Sequence, residues 1–254
     1  MSQGRGPENE DIDARLSAIE TRWTVLFNAH ESQGDARLAA QTQLLLRYHS
    51  AVYRYLLGIV GDSEVAAELS QEFAVRFLRG DFHRANPRRG RFRDFLKTSL
   101  RHLVQDYWRK QNKVWLPLPA DPSAPAVSAE LPSDQEFICK WREELLSHAW
   151  NSLAAAQRRS GQPYWDALRA KTAEPGLRSA RLANRLASRT GRQWTDVAAR
   201  QLLHRSRNLF ADLLVDEVAR SLGDVAEDKL EQELIDLDLL SYCQAALDRR
   251  KSAR

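Results

Sequence analysis

The run GRFRDFLKTSLRHLVQDYWRK, Gly90–Lys110, joins two residue classes that seldom share one helix. At helical spacing they separate. Phe92, Leu96, Leu100, Leu103 and Tyr107 recur at steps of three and four and define an apolar face. Arg93, Lys97, Arg101, Gln105 and Arg109 recur every fourth residue and define a second stripe. Trp108 lies beside that stripe, and Phe95 does not belong cleanly to the apolar side. Two readings are open. One is a solvated basic face over a core face. The other is a surface that holds phosphates with Arg and Lys and stacks bases on aromatics.

The same spacing organises most of the chain, so an all-α fold is expected. Apolar positions are helical from about Asp13 (Leu16, Ile19, Trp23), and again over about Asp35–Val60 (Leu44, Tyr48, Val52, Tyr55, Leu56). GDSE at Gly61 breaks the second of these, and Asp62 or Ser63 can cap the helix that ends at Gly80. DFHRANPRRGRF is then a loop, marked by Pro87 and Gly90. Residues 114–135 hold five of the nine prolines and read as an extended linker. Helix resumes with Phe137, Trp141, Leu145, Ala149 and Leu153 on one face, and a short helix follows near Tyr164–Ala170.

SARLANRLASRTGRQWTDVAARQLLHRSRNLF, from Ser179, reads as helix, turn, helix. Ser179 is the expected first cap, Gly191 the turn and Thr195 the second cap, with Asp196 favourable at the positive end of its helix. Leu182, Leu186, Val197, Leu202, Leu209, Leu213 and Leu214 are the expected core. Arg200, His204 and Arg207 lie three or four apart on the second helix, with Gln201 and Arg205 beside them, as in a helix that enters the major groove. The expected layout is a disordered tail over 1–12, a helical domain over 13–113, a linker over 114–135, a helix-turn-helix domain over 136–222 and an acidic helical extension over 223–254.

The charge is uneven. Lys and Arg outnumber acids twelve to three from Arg76 to Lys113, and eight to one from Leu177 to Phe210, in a chain of net charge +4. Two basic islands suggest two contacts with a polyanion. Asp224–Asp238 is acidic. Cys139 and Cys243, the two cysteines, are far apart and read as reduced thiols. No apolar run approaches a membrane span, so no membrane insertion and a cytoplasmic location are expected. The histidines are scattered without metal spacing, and no carboxylate cluster, activated nucleophile or glycine-rich phosphate loop appears. Neither an enzyme nor a cofactor is expected.

LLLRYHSAVYRYLLGIVGDSEVAAELSQEFAVRFLRG, followed by the run quoted first, resembles region 2 of the sigma-70 family, and most of all its extracytoplasmic-function branch. VAARQLLHRSRNLFADLL resembles, more loosely, the end of region 4. The resemblance implies two small helical domains joined by a linker. It also implies a factor that binds core RNA polymerase, recognises a promoter and helps open it. Glu68, Gln71 and Glu72, supported by Phe73, would then dock on the polymerase. Arg88, Arg89, Arg91, Arg93, Lys97, Arg101 and Arg109 would hold phosphates near the start-proximal element, with His102 near the bases. Trp108 is a candidate for base or sugar contact; Phe95 is either that or a core residue. Thr195, Arg200, Gln201, His204, Arg205 and Arg207 would meet the upstream element. Promoter DNA and core polymerase are the implied partners, with an anti-sigma factor or another regulator a further one.

The family often has Asp where Glu68 stands, a mild change, and Asn where His102 stands near the base-reading surface, so the family's base preference does not carry over from His102. Asp121, Glu130 and Asp134, in and beside the linker, either repel or mimic RNA or belong to a plain spacer. The acidic extension either damps DNA binding by packing on a basic domain or is a stabilising helix. The rival reading is a stand-alone helix-turn-helix regulator.

Overall fold

A computed structural model describes residues 35–79, 81, 91–114, 134–222 and 227–252. The expected tail, the helix from Asp13, most of the Pro87 loop and the linker residues 115–133 lie outside these. Among the described residues there are nine α-helices and no strand. They are α1 (Asp35–Val60), α2 (Ser63–Arg79), α3 (Phe92–Val114), α4 (Asp134–Ser160), α5 (Tyr164–Ala173), α6 (Ser179–Thr190), α7 (Asp196–Leu222), α8 (Glu227–Asp236) and α9 (Leu240–Ser252).

The chain divides into two compact units, and the division falls inside α4, after Glu144, rather than at the proline-rich linker. The first unit contains α1, α2, α3 and the opening turns of α4. Gly61, at φ 68°, ends α1 by donating its N–H to the Leu57 carbonyl at 2.9 Å. That left-handed backbone is the one glycine adopts without a steric penalty. Asp62 then caps α2: its Oδ1 accepts from the Glu64 and Val65 amides at 2.8 and 3.1 Å. Gln41 of α1 donates to the Phe77 carbonyl at 3.1 Å, tying the start of one helix to the end of the next.

The apolar stripe of α3 is core: Phe92, Leu96, Leu100, Leu103 and also Val104 are buried, while Tyr107 is half-buried. Phe137 and Trp141 explain why early α4 belongs here. Trp141 stacks on Tyr48 with ring centroids 4.7 Å apart, and Phe137 meets Tyr55 edge-on at 4.9 Å. Glu144 is buried on the same face. It accepts from Ser50 Oγ at 2.7 Å and pairs with Arg54. A carboxylate taken out of water needs such partners to stay ionised.

The second unit contains α4 from Leu145, α5, α6, α7 as far as Arg220, α8 and α9. Its trihelical part buries Ala167, Leu177, Leu182, Ala183, Leu186, Ala199 and Leu202, with Trp194 packed against them. The turn between α6 and α7 is built as its residue types require. Gly191 sits at φ 68° and donates to the Ala187 carbonyl at 2.9 Å. Thr195 Oγ1 accepts the Ala198 amide at 3.1 Å and caps α7. Two expectations are corrected. Ser179 is the first residue of α6 rather than its cap, a position held by the extended Arg178, with no side-chain cap bond. Val197 is 57% exposed, because it shares the outward face of α7 with Arg200, while Ala199 and Leu202 turn inward.

The C-terminal extension is a helical hairpin rather than one helix. Asp238, at φ 55°, makes the bend, and the Leu239 amide closes on the Leu234 carbonyl at 2.8 Å. Leu230, Leu234, Leu237, Leu239, Cys243 and Leu247 are buried. Burial pushes the Cys243 thiol up to about 12. The charge relation runs opposite to that expected of an acidic strip on a basic domain. The basic end of α9 reaches acids on α7: Arg249 pairs with Asp212 at 2.6 Å, and Arg250 with Asp216. Lys251 pairs with Glu231 of α8 at 2.8 Å.

Candidate functional site

The outer face of α2 presents Glu68 and Gln71, both exposed, and Glu72. Glu72 is joined to Arg76 one turn on, and Arg76 also reaches Asp106 of α3 at 3.6 Å. Phe73 points the other way. It is buried and stacks on Phe77 at 5.9 Å, so it supports the face from beneath. Val75, 44% exposed, lies seven residues after Glu68 and adds an apolar spot to this polar face. Its spacing is legible in the sequence, but a single valine in an amphipathic helix does not announce itself as exposed.

On α3 the basic stripe is not uniform. Arg93 is buried, at 6% exposure, because it falls between Phe92 and Leu96 on the inner side of the first turn. Its guanidinium is therefore not presented to a phosphate, which corrects the expectation for that residue. Phe95 is half-buried and packs between Phe77 and Phe92, with centroids 6.2 and 6.1 Å away, as a core residue does. Lys97 and Arg101 face outward and share one acid. Asp134, the first residue of α4, takes Lys97 Nζ on Oδ2 and Arg101 Nη2 on Oδ1, each at 3.2 Å. The hydrogen bond and charge of Lys97, with the Arg101 charge, hold the Asp134 carboxyl below the ordinary carboxylate range. Burial pushes the neighbouring Tyr55 phenol up, an effect that Arg101 partly opposes.

His102, Gln105 and Arg109 form an exposed line along α3, and Trp108 beside them is half-buried. Arg109 pairs with Asp106 at 3.2 Å. Arg91, just before α3, is half-buried. Arg88 and Arg89 lie outside the described residues. This surface of one unit therefore offers hydrogen-bonding groups, cations held by exchangeable acids and an accessible indole.

The second basic island is sorted differently. On α6, Arg185 pairs with Glu174 at 2.5 Å, Arg181 with the same acid at 3.7 Å, and Arg189 with Asp166 at 2.7 Å. On α7, Arg200, Gln201, His204, Arg205 and Arg207 are all exposed. Among the described residues, Arg200, Arg205 and Arg207 make no ion pair. His204 meets its own-helix neighbour Asn208 at 3.2 Å. Thr195 is exposed but already spends its hydroxyl on the cap.

A protein with these helices is a nucleic-acid-binding candidate by charge and geometry. The comparisons make this more definite for the first unit. Residues 44–114 match the family described as sigma-70 region 2, a stretch that begins in α1 and ends with α3. The match covers under a third of the chain. Region 2 of sigma-70 proteins is involved in binding core RNA polymerase and in melting promoters. Neither the curated proteins nor the solved structures contain a match to this chain. Among the described residues no group of His, Cys, Asp or Glu could hold a metal ion, and no helix is long and apolar enough to cross a membrane.

Proposed function

We propose that the chain is a transcription initiation factor of the sigma-70 type, of the extracytoplasmic-function branch, working with core RNA polymerase in the cytoplasm. The single observation that carries this is the region 2 match over residues 44–114, which falls on α1, α2 and α3. In this reading Glu68, Gln71, Glu72 and Val75 meet the polymerase, and a carboxylate face suits a basic partner. The exposed line of α3 meets promoter DNA as it opens. Unstacking costs a few kcal/mol per step, and base–aromatic stacking returns roughly 1–3 kcal/mol per base, so Trp108 and the cations around it can offset the loss. Exposed Arg200, Gln201, His204, Arg205 and Arg207 on α7 support a second, upstream contact, since a helix after a tight turn with unpaired arginines suits the major groove. No catalytic step and no cofactor belong to this reading.

The test is capture of core RNA polymerase by the purified chain, followed by run-off transcription on a library of promoter fragments. Association and directed transcripts are expected, with Glu68→Lys plus Glu72→Lys abolishing both. Failure to associate, or association without any directed transcript, would overturn the proposal. The exposed α7 surface also favours a second reading, a stand-alone duplex-binding regulator. That reading predicts tight, specific duplex binding without polymerase, whereas the sigma reading predicts weak binding until polymerase is present.

A further inference from the structure

We propose that Asp134 is a built-in competitor for phosphate on α3, so that Lys97 and Arg101 are occupied by the protein's own carboxylate until a nucleic-acid backbone displaces it. The inference rests on the reading of α3 as a nucleic-acid surface and adds a self-occluded state to it.

The geometry is that of an anion site already filled. One carboxylate divides its two oxygens between an ammonium and a guanidinium one helical turn apart, each at 3.2 Å. Two non-bridging phosphate oxygens would make the same pair of contacts. Asp134 is not a side chain that happens to drift there. The helix it begins is anchored within three turns by Phe137, Trp141 and Glu144, all buried against α1 and α3, so its carboxylate is delivered to one place. The contact itself remains exchangeable. Asp134 is 58% exposed, while Lys97 and Arg101 are 21% and 32% exposed, so the pair lies at the surface and a competing anion can approach it. Surface pairs of this kind are weak and salt-screened, as a displaceable occupant must be. The hydrogen bond and charge of Lys97, with the Arg101 charge, hold the carboxyl below the ordinary carboxylate range, in the direction that favours the anionic occupant.

The full chain and a short fluorescein-labelled oligothymidylate suffice for the test, read by anisotropy across a series of KCl concentrations. Asp134→Asn is expected to bind roughly two- to tenfold more tightly than the parent, the size of two surface pairs released. Its salt dependence should steepen by about 0.7 for each further phosphate contact made on α3. Asp134→Glu should stay close to the parent. Glu143→Gln removes the same charge from the same helix, at an exposed site whose partner is Lys140, and should leave affinity near the parent value. Equal gains from Asp134→Asn and Glu143→Gln would reduce the effect to net charge and overturn the proposal. No gain from Asp134→Asn, with weakened binding in the Lys97→Ala plus Arg101→Ala variant, would overturn it while leaving α3 a nucleic-acid surface. Unchanged binding in that double variant, in both the parent and the Asp134→Asn backgrounds, would overturn the α3 reading and the proposal together.

Discussion

Helices α3 and α7 carry similar runs of arginine, yet they offer them to solvent in opposite ways. On α3, Arg93 is buried, Lys97 and Arg101 are held by Asp134, and Arg109 by Asp106. On α7, Arg200, Arg205 and Arg207 stand exposed and make no ion pair among the described residues. A count of basic residues measures the first helix as the stronger polyanion binder. The structure makes the second the one whose charge is available without rearrangement. The difference has a simple origin. For Lys97 and Arg101 the neighbouring α4 brings Asp134 to the rim of α3, and Arg109 is held by Asp106 one turn back on α3 itself, whereas among the described residues no acid pairs with Arg200, Arg205 or Arg207 of α7. Positive charge is a property of sequence, but available positive charge depends on which acids the fold brings near.

Trp141→Ala removes the ring that stacks on Tyr48 and holds early α4 against α3. It should cost about 3–5 kcal/mol in urea unfolding and, by releasing Asp134, raise oligothymidylate binding in whatever fraction stays folded. A normal stability would show that early α4 is not part of the first unit's core. Next, Arg93→Ala should lower stability by about 1–3 kcal/mol and leave the salt dependence of duplex binding unchanged. Arg200→Ala should do the reverse, moving stability by under about 0.5 kcal/mol while reducing the slope of log affinity against log salt by about 0.9. If Arg93→Ala changed the slope and Arg200→Ala did not, the contrast drawn between the helices would be inverted.

Gly191→Ala is a smaller and purely conformational test. No heavy atom lies within 4 Å of the Cβ it would add, so the cost is only that of a left-handed φ, about 1–2 kcal/mol in thermal unfolding. Because this turn aims α7, duplex affinity should fall with it. The least disruptive measurement is alkylation of the native chain with iodoacetamide near neutral pH. Cys243 is buried with its thiol pushed up to about 12, so label should accumulate on half-buried Cys139 first. Equal labelling would mean that the α8–α9 hairpin opens readily, and that the acids Asp212 and Asp216 of α7 are not steadily neutralised by Arg249 and Arg250.

Much of the local architecture was legible in the residues. The apolar stripe of α3, the shared face of Phe137, Trp141, Leu145, Ala149 and Leu153, the Gly61 and Gly191 breaks and the Thr195 cap each follow from spacing or backbone preference, which act over a few residues. The candidate polymerase face on α2 was legible for the same reason, because Glu68, Gln71 and Glu72 lie on one side of one helix. Other features were not. Arg93 falls on the basic stripe by its spacing of four, and only packing against the first turn of α3 turns it inward. Hydropathy alone places Val197 in the core, yet the trihelical cluster buries Ala199 and Leu202 instead. The hairpin in the extension depends on a left-handed Asp238, a conformation that a non-glycine residue adopts only in a small minority of cases.

The sequence alone determined that this chain is helical, where its helices turn, and that residues 44–114 carry the pattern of sigma-70 region 2. Those properties are periodic or local, and each is written within a few turns of chain. Packing between helices set which acid reaches Lys97 and Arg101, and left Arg200, Arg205 and Arg207 exposed without an ion pair among the described residues. It alone placed early α4 with the first unit, and put Asp134 on Lys97 and Arg101 more than thirty residues away. Such pairings depend on where separate helices come to rest, and the packing of buried side chains such as Trp141 sets that resting place.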